Sequence, residues 1–343
     1  MLENGTLHAA IEGPLLLDSS PLAGRTAPGA PAGISARTGD EAPLRIGLLN
    51  NMPDAALVQT ERQFRQLIGS GVELVPFRFA DMPRGPLVAA DVERFYAPHT
   101  ALATAGLDAL IVTGSEPKAK RLDAEPYYDA FTEVVDWAAR HTVSTLFSCL
   151  AAHAAVLHLD GIERRPLADK HSGVFACAAA AAHPLLYGLP AQMAVPHSRW
   201  NDLAEADLTA RGYMVLRRSE QVGVDLFVRD GESLMVFLQG HPEYEGDTLA
   251  REYRRDLTRF IDGTRDRCPA LPHAYYTEAA AARLEALAAS AVLARASGQT
   301  ALELPSLEQT PPRPAEWSAD ATRLFRNWTA QVSARRRAAR LAR

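Results

Sequence analysis

Residues 144–159 read STLFSCLAAHAAVLHL, and this stretch decides the fold. Val143 to Phe147 is β-branched and apolar and predicts a short buried strand, while the Ala-rich run from Leu150 onward has the propensity of a buried helix. Cys149 lies at the joint, with small residues close by on both sides. A nucleophile elbow needs this arrangement, because a sharp strand-to-helix turn tolerates only small neighbours and exposes the central side chain. Cys149 is therefore a candidate nucleophile, and the alternative for a lone cysteine is a buried apolar side chain.

Three further apolar runs upstream of this unit have the length and composition of buried strands, and helical segments separate them. Strand–helix alternation with short connections predicts an α/β fold, a doubly wound and mostly parallel sheet of the flavodoxin-like type. In such folds the working residues lie at the carboxyl ends of the strands, where Cys149 falls. The predicted strands are LRIGLLN (44–50), VELVPFRF (72–79) and DALIVTG (108–114), and the predicted helices are Thr60 to Ile68, Asp91 to Tyr96 and Tyr127 to Arg140.

Beyond residue 160 the sequence predicts additional short strands that are largely antiparallel, and then C-terminal helices. We expect a flexible N-terminal extension (1–43), a catalytic α/β domain (44–264) and a C-terminal helical region (265–343) that packs on the domain or extends it. The predicted strands are 172–175, 193–198, 212–219, 222–228 and 233–240, and the predicted helices are Asp247 to Ile261, 278–298 and 321–343.

Composition narrows the class of protein. The 343 residues are 47% hydrophobic and carry a net charge of −5, which indicates a globular protein with ample core and argues against a nucleic-acid binder. The 3 cysteines show no metal-type spacing and fit a reducing compartment, so we expect a cytoplasmic protein without a metal site. No apolar run approaches the ~20 residues of a membrane span, and the first residues lack the basic start of a secretion signal.

His241-Pro242-Glu243 directly follows an apolar strand and supplies the partners that a nucleophilic cysteine needs. On an extended segment, residues at i and i+2 project to the same side, so Glu243 is expected to orient the imidazole of His241. The imidazole then takes the proton of the Cys149 thiol, which makes Cys–His–Glu a self-consistent activated nucleophile.

The order of several motifs resembles that of the homoserine O-succinyltransferase/O-acetyltransferase family over roughly residues 44–330. The most specific are PHSRW (196–200) and GHPEYEGDTLAREYRRDL (240–257). That family has the fold of class I glutamine amidotransferases and runs a ping-pong acyl transfer from acyl-CoA in methionine biosynthesis. The other matching segments are GLLNNMP (47–53), ALIVTG (109–114), LFSCLAAHAAVLHLDGI (146–162), DKHSGVF (169–175) and RLFRNW (323–328).

The resemblance implies a role for each matching residue. Cys149 is implied to be the acyl-accepting nucleophile, His241 the base and Glu243 its orienter. Arginine binds an amino-acid carboxylate well because the guanidinium fork grips it in two places. The resemblance also implies no bound cofactor, acyl-CoA (succinyl-CoA or acetyl-CoA) as co-substrate, an amino-acid acceptor and a homodimer. The substrate-binding residues that it implies are Lys170, Ser198 and, for the acceptor carboxylate, Arg255.

The chain departs from the family pattern in ways that indicate a divergent member. Its elbow reads Cys149-Leu150-Ala151-Ala152-His153, where the family usually has Cys-Trp-Gly-Ala-Gln, and residues 276–304 have no obvious counterpart. The position tied to acyl choice falls on Lys118, whose ammonium is expected to pair with the terminal carboxylate of a succinyl group. The alternative for Lys118 is an exposed basic loop that attracts the phosphates of CoA.

Homoserine O-succinyltransferase is the function expected, and three alternatives stay open. The first is transfer of an acetyl group, to homoserine or to serine. The second is an amidase or glutaminase of the same superfamily, whose elbow usually carries Gly and Gln where Ala151 and His153 stand here. The third is a ligand-binding relative without catalysis, which the presence of all three candidate catalytic residues disfavours.

Overall fold

The computed structural model describes residues 42–298 and 303–342, so the predicted N-terminal extension lies outside the described residues except for residues 42 and 43. Ten strands form one sheet. They are β1 (Leu44–Leu49), β2 (Val72–Arg78), β3 (Ala97–Pro98), β4 (Ala109–Thr113), β5 (Ser144–Ser148), β6 (Arg165–Ala179), β7 (Gln192–Asp202), β8 (Met214–Ser219), β9 (Gly223–Arg229) and β10 (Leu234–Leu238). The helices are α1 (Asp54–Ile68), α2 (Pro86–Phe95), α3 (Tyr128–His141), α4 (Leu150–Asp160), α5 (Glu205–Ala210), α6 (Thr248–Ile261), α7 (Glu278–Ala296) and α8 (Trp317–Leu341).

The strand order is β3-β2-β1-β4-β5-β10-β9-β8-β6-β7. The six strands from β3 to β10 run parallel, and the remaining four continue the sheet with antiparallel pairing. The elbow strand β5 and the strand β10 are therefore neighbours with their carboxyl ends at one edge. This pairing brings Cys149, which follows β5, next to His241, which follows β10.

Side chains on successive residues of the central strands enter different cores, as a sheet covered on both faces requires. In β4, Leu110 and Val112 pack against α3 and α4, whereas Ala109 and Ile111 pack on the opposite face. That second face is covered by α1 and α8 through Phe64, Phe325 and Trp328, among others. The indole nitrogen of Trp328 also donates to Oγ of Ser144, 2.9 Å away. The doubly wound α/β class is thus confirmed.

Several predicted elements differ in detail. The segment 233–240 was expected among the antiparallel strands, but β10 is parallel to β5 and antiparallel only to β9, because it lies where the two halves of the sheet meet. α1 begins at Asp54 rather than at Thr60, and α2 begins at Pro86 rather than at Asp91. Proline is well tolerated in the first turn of a helix, since its missing N–H has no acceptor there. β6 is longer than the predicted 172–175, and α5 was not predicted.

No helix in the described ranges is long and apolar enough to cross a membrane.

Candidate active site

Cys149 occupies the sharp turn between β5 and α4. Its backbone has φ 53° and ψ −113°, a strained conformation for a residue with a side chain, and the sulfur is only partly buried. The turn is packed against the end of β4, because a Cβ atom added to Gly114 would lie 2.6 Å from Cβ of Leu150. Gly114 also donates its N–H to the carbonyl of Ser148 at 3.1 Å. The elbow therefore depends on a glycine in the neighbouring strand end as well as on the small residues around the cysteine.

His241 and Glu243 lie in a tight turn that begins three residues after the end of β10. The expectation that an extended segment aligns them is wrong: Tyr244 donates its N–H to the carbonyl of His241 at 3.1 Å and closes a turn. Within that turn Nδ1 of His241 lies 2.8 Å from Oε1 of Glu243. Ser148, the residue before Cys149, donates its hydroxyl to the same oxygen at 3.2 Å. We call Cys149, His241 and Glu243 the elbow triad.

The tautomer of His241 follows from these contacts. A carboxylate only accepts, so Nδ1 carries a hydrogen in either protonation state, and in the neutral imidazole Nε2 has the free lone pair. Nε2 is buried and has no hydrogen-bond partner in the described part of the chain. Burial on its own lowers the pKa of His241, but the charge of Cys149, then the charge of Glu243 and the hydrogen bond to Glu243, raise that pKa well above its ordinary value. An imidazole with this environment stabilises a thiolate at Cys149.

The first turn of α4 begins directly after Cys149 and supplies backbone N–H groups at the elbow triad. The first hydrogen bonds of the helix go from the N–H groups of Ala152 and His153 to the carbonyl of Cys149, at 3.0 and 3.4 Å. The N–H groups of Leu150 and Ala151 precede these bonds and remain at the helix N-terminus, where the dipole favours negative charge. Such amides stabilise an oxyanion that forms next to the sulfur.

Two of the predicted substrate residues, Lys170 and Ser198, meet at an acidic group that was not predicted, Glu252 of α6. Lys170 of β6 places Nζ 3.4 Å from Oε2 of Glu252, and the hydroxyl of Ser198 donates to the same oxygen. The hydroxyl of Tyr244 donates to Oε1 of Glu252 at 2.7 Å. Burial raises the pKa of Glu252, but Lys170, Arg255 and the two hydroxyls outweigh it and lower that pKa, so the carboxylate stays ionised. A periodicity signal existed in the sequence: Glu252 and Asp256 are four residues apart on an amphipathic helix and so share a face.

Arg255 lies beside this group but forms its own pair. Its Nε and Nη2 atoms donate to Oδ1 of Asp256 at 3.1 and 2.9 Å, and its side chain is 37% exposed. Lys170 Nζ approaches the other oxygen of Asp256 at 3.1 Å. We call Lys170, Ser198, Arg255, Glu252 and Asp256 the charged cluster. Tyr244 joins this cluster to the elbow triad, since its ring stacks on His241 with centroids 4.2 Å apart.

Lys118 lies on the loop that follows β4, and its side chain is exposed. Its backbone N–H and that of Ala119 donate to Oε1 of Glu125, each at 2.7 Å. In the described ranges no hydrogen bond or ion pair joins the Lys118 ammonium to the elbow triad or to the charged cluster. Its role at the acyl group stays a prediction.

A second set of a cysteine, a histidine and a carboxylate lies inside the sheet, and we call it the buried triad. Its possible ligand atoms lie within 4.8 Å of one another, a spacing that can suit a metal ion. However, the guanidinium of Arg217 pairs with its carboxylate, and Nε of Arg199 donates to its histidine at 3.4 Å. Two cations at these positions oppose the binding of a third. The members of the buried triad are Cys177, His197 and Asp225.

Comparison with known proteins gives a consistent picture. The model of the family described as Homoserine O-succinyltransferase matches residues 32–337. A homoserine O-succinyltransferase of Methylorubrum extorquens is 66% identical over 85% of this chain and 88% of its own length. Another from Rhodopseudomonas palustris is 48% identical over 83% of this chain and 87% of its own length. Among solved structures, a glutamine amidotransferase from Thermotoga maritima has a TM-score of 0.49 and 13% identity, covering 84% of this chain and 98% of that one.

Proposed function

The chain belongs to the homoserine O-succinyltransferase family and is therefore an acyltransferase, and we propose that its elbow triad carries a succinyl group from succinyl-CoA to L-homoserine. The observation that supports this most is the arrangement at His241. Glu243 fixes Nδ1 as the donor, which leaves Nε2 as a buried base beside a cysteine at a helix N-terminus. This is the geometry that makes a thiol a nucleophile.

In the first half-reaction the Cys149 sulfur attacks the thioester carbonyl of succinyl-CoA. A new S–C bond forms, the bond from the carbonyl to the CoA sulfur breaks, and the His241 imidazolium gives the leaving thiolate its proton. The amides of Leu150 and Ala151 stabilise the oxyanion between these events. The product is a succinyl thioester on Cys149 and free CoA.

In the second half-reaction the hydroxyl oxygen of homoserine attacks that thioester. Nε2 of His241 removes the hydroxyl proton, the new O–C bond forms, and the Cys149 thiolate leaves. Glu243 stabilises the imidazolium in both halves without accepting its proton.

The charged cluster is proposed to hold the homoserine. The amino-acid end of homoserine is a zwitterion, so its carboxylate needs a cation and its ammonium needs an anion. Arg255 and Lys170 supply the cations, and Glu252, which stays ionised, supplies the anion. We expect Arg255→Lys to raise KM for homoserine by the equivalent of about 1–3 kcal/mol, because lysine keeps the charge but loses the fork. Equal damage to formation of the acyl-enzyme, measured by single-turnover release of CoA, would indicate a folding role instead.

The proposal as a whole is tested by a matrix of donors and acceptors. Release of CoA is followed with succinyl-CoA or acetyl-CoA against L-homoserine or L-serine, and ammonia release is followed with L-glutamine. Succinyl-CoA with L-homoserine should give the highest kcat/KM. A higher value with acetyl-CoA would make the protein an acetyltransferase, and ammonia release without acyl transfer would favour the amidase alternative.

A homodimer, a cytoplasmic location and the separation of a catalytic domain (44–264) from a helical region (265–343) belong to the same proposal. One hydrogen bond joins the helical region to the proposed catalytic domain: the indole nitrogen of Trp317, at the start of α8, donates to the carbonyl of Tyr244 at 2.8 Å. Sedimentation of the purified protein and limited proteolysis around residue 265 test the dimer and the division.

A further inference from the structure

We propose that Arg164, rather than Lys118, receives the terminal carboxylate of the succinyl group. This inference rests on the proposed function and deepens it, because it assigns the residue that selects a succinyl over an uncharged acyl group.

Arg164 is a partly buried cation with unused hydrogen-bonding capacity. It lies three residues after Gly161, the residue that caps the C-terminus of α4, and immediately before β6. Its Nη1 atom is buried and has no hydrogen-bond partner within residues 42–298 and 303–342. Its Nη2 atom makes one long contact, 3.4 Å, to the carbonyl of Lys120. Burying a guanidinium nitrogen without an acceptor costs free energy, and a ligand carboxylate would recover it.

The charge of Arg164 also reaches the nucleophile. Burial lowers the pKa of Arg164, while Glu125, Tyr127 and Cys149 act to raise it, so all three lie within electrostatic range of the guanidinium. The group nevertheless remains charged at physiological pH, as arginine does in proteins. The geometry agrees with this: the guanidinium contacts the carbonyl of Lys120 on the loop that follows β4, and that loop begins at Gly114, which packs against Leu150 beside Cys149.

Glu125, whose charge acts on this cation, makes no hydrogen bond to it in the described residues. Oε1 of Glu125 is instead taken by the backbone amides of Lys118 and Ala119, at 2.7 Å each. Glu125 thereby fixes the loop after β4, which begins at Gly114 beside the elbow. Lys118 contributes its backbone to this wall while its side chain is exposed.

The chemistry of the donor agrees with this placement. A succinyl group carries a carboxylate at the far end of a four-carbon chain, and an acetyl or butyryl group does not. A partly buried guanidinium whose Nη1 atom is buried and free attracts that carboxylate and discriminates against an apolar chain end, whereas an exposed lysine is screened by solvent.

The test compares two donors of equal carbon length, succinyl-CoA and butyryl-CoA, by the rate of CoA release in single turnovers. For Arg164→Gln we expect kcat/KM with succinyl-CoA to fall about 10- to 100-fold, as the loss of one charge-assisted hydrogen bond implies. The rate with butyryl-CoA should stay within about threefold of wild type, which also shows that the variant is folded. Arg164→Lys should keep part of the succinyl preference.

Two variants on the neighbouring loop complete the design. Arg121→Gln is the matched control, because this arginine is exposed and already pairs with Asp123, and it should leave the donor ratio unchanged. Lys118→Gln decides between the two cations. The inference is overturned by equal losses with both donors in Arg164→Gln, or by a selective loss with succinyl-CoA in Lys118→Gln. If wild type forms no acyl-enzyme from succinyl-CoA, the proposed function itself fails, and this inference with it.

Discussion

The elbow triad and the buried triad contain the same kinds of side chain but differ in which histidine nitrogen meets the carboxylate. In the elbow triad the carboxylate meets Nδ1 of the histidine, at 2.8 Å. In the buried triad Nδ1 of His197 faces Nε of Arg199, which only donates, so Nδ1 must accept. The hydrogen of His197 is then on Nε2, which lies 3.3 Å from Asp225 and 3.8 Å from the Cys177 sulfur. His197 has no free lone pair for the thiol, whereas His241 does.

The charged groups that act on the carboxylate and the histidine also differ between the two triads. Asp225 is paired with the buried Arg217, and its pKa is held below the usual range although burial alone would raise it. Burial raises the pKa of the Cys177 thiol and lowers the pKa of His197, so both stay neutral. At the elbow, by contrast, the cysteine and the glutamate together raise the pKa of His241. A cysteine, a histidine and a carboxylate form a nucleophile only when the carboxylate orients the histidine and no other cation pairs with that carboxylate.

The largest effect expected from this difference is on turnover. Cys149→Ala should abolish acyl transfer, because within residues 42–298 and 303–342 no other cysteine stands at a helix N-terminus beside a free imidazole nitrogen. Cys177→Ala should keep near wild-type kcat. Intact-mass measurement after succinyl-CoA alone should show one acyl adduct in wild type and in Cys177→Ala.

Cys268→Ala serves as a further control, since this thiol lies outside both sets. An adduct that persists in Cys149→Ala would contradict the assignment of the nucleophile, and an adduct lost in Cys177→Ala would remove the distinction between the two triads.

The second-largest expected effect concerns His241 and Glu243, the two partners of Cys149 in the elbow triad. His241→Ala should lower kcat by about 10²–10⁴-fold, the share that a general base contributes. Glu243→Gln should cost less, because the amide oxygen still accepts from Nδ1 and only the charge is lost. Steady-state kinetics of both variants check this order, and a Glu243→Gln protein as inactive as His241→Ala would count against it.

In the buried triad the third effect should appear as lost stability. Asp225→Asn leaves the guanidinium of Arg217 buried without its counter-charge, so we expect the free energy of unfolding to fall by about 3–5 kcal/mol. Glu243→Gln should lower it less, because its partner His241 can lose its proton. Urea unfolding of the two variants measures the contrast, and equal stability would show that Arg217 is hydrated.

The smallest expected effect is on the pH dependence of the free energy of unfolding, and it concerns His153 of α4. This buried histidine contacts Oε1 of Gln239 through Nε2 at 2.9 Å, and burial lowers the pKa of His153 to about 3. Between its unfolded pKa, near 6.5, and that value the unfolded chain binds a proton that the folded chain does not, so acid destabilises the fold.

His153→Gln removes this proton uptake and keeps a partner for Gln239. On going from pH 7 to pH 5 the wild type should therefore lose about 2 kcal/mol more of its free energy of unfolding than the variant. Identical pH dependence by urea unfolding would mean that His153 takes up its proton without unfolding.

Much of this molecule follows from local sequence. The change from a β-branched run to an Ala-rich run around Cys149 predicts strand, turn and helix, because each depends on side-chain shape and period within a few residues. The alternation of strands and helices before residue 160 likewise predicts the parallel sheet. Proximity of Glu243 to His241 follows from their spacing, although the turn that joins them does not.

Tertiary structure alone decided which polar groups meet. β5 and β10 are neighbours although 85 residues lie between the end of β5 at Ser148 and the start of β10 at Leu234. Only the sheet order therefore places His241 beside Cys149. Glu252 looks like a surface residue of an amphipathic helix until β6 and β7 bring Lys170 and Ser198 to it. The sequence near Cys177 likewise contains nothing that separates it from Cys149 by charge, because Arg199 and Arg217 come from β7 and β8 and not from β6, the strand of Cys177. Electrostatic interactions and hydrogen bonds depend on distances in space, and those are set by packing rather than by position in the chain.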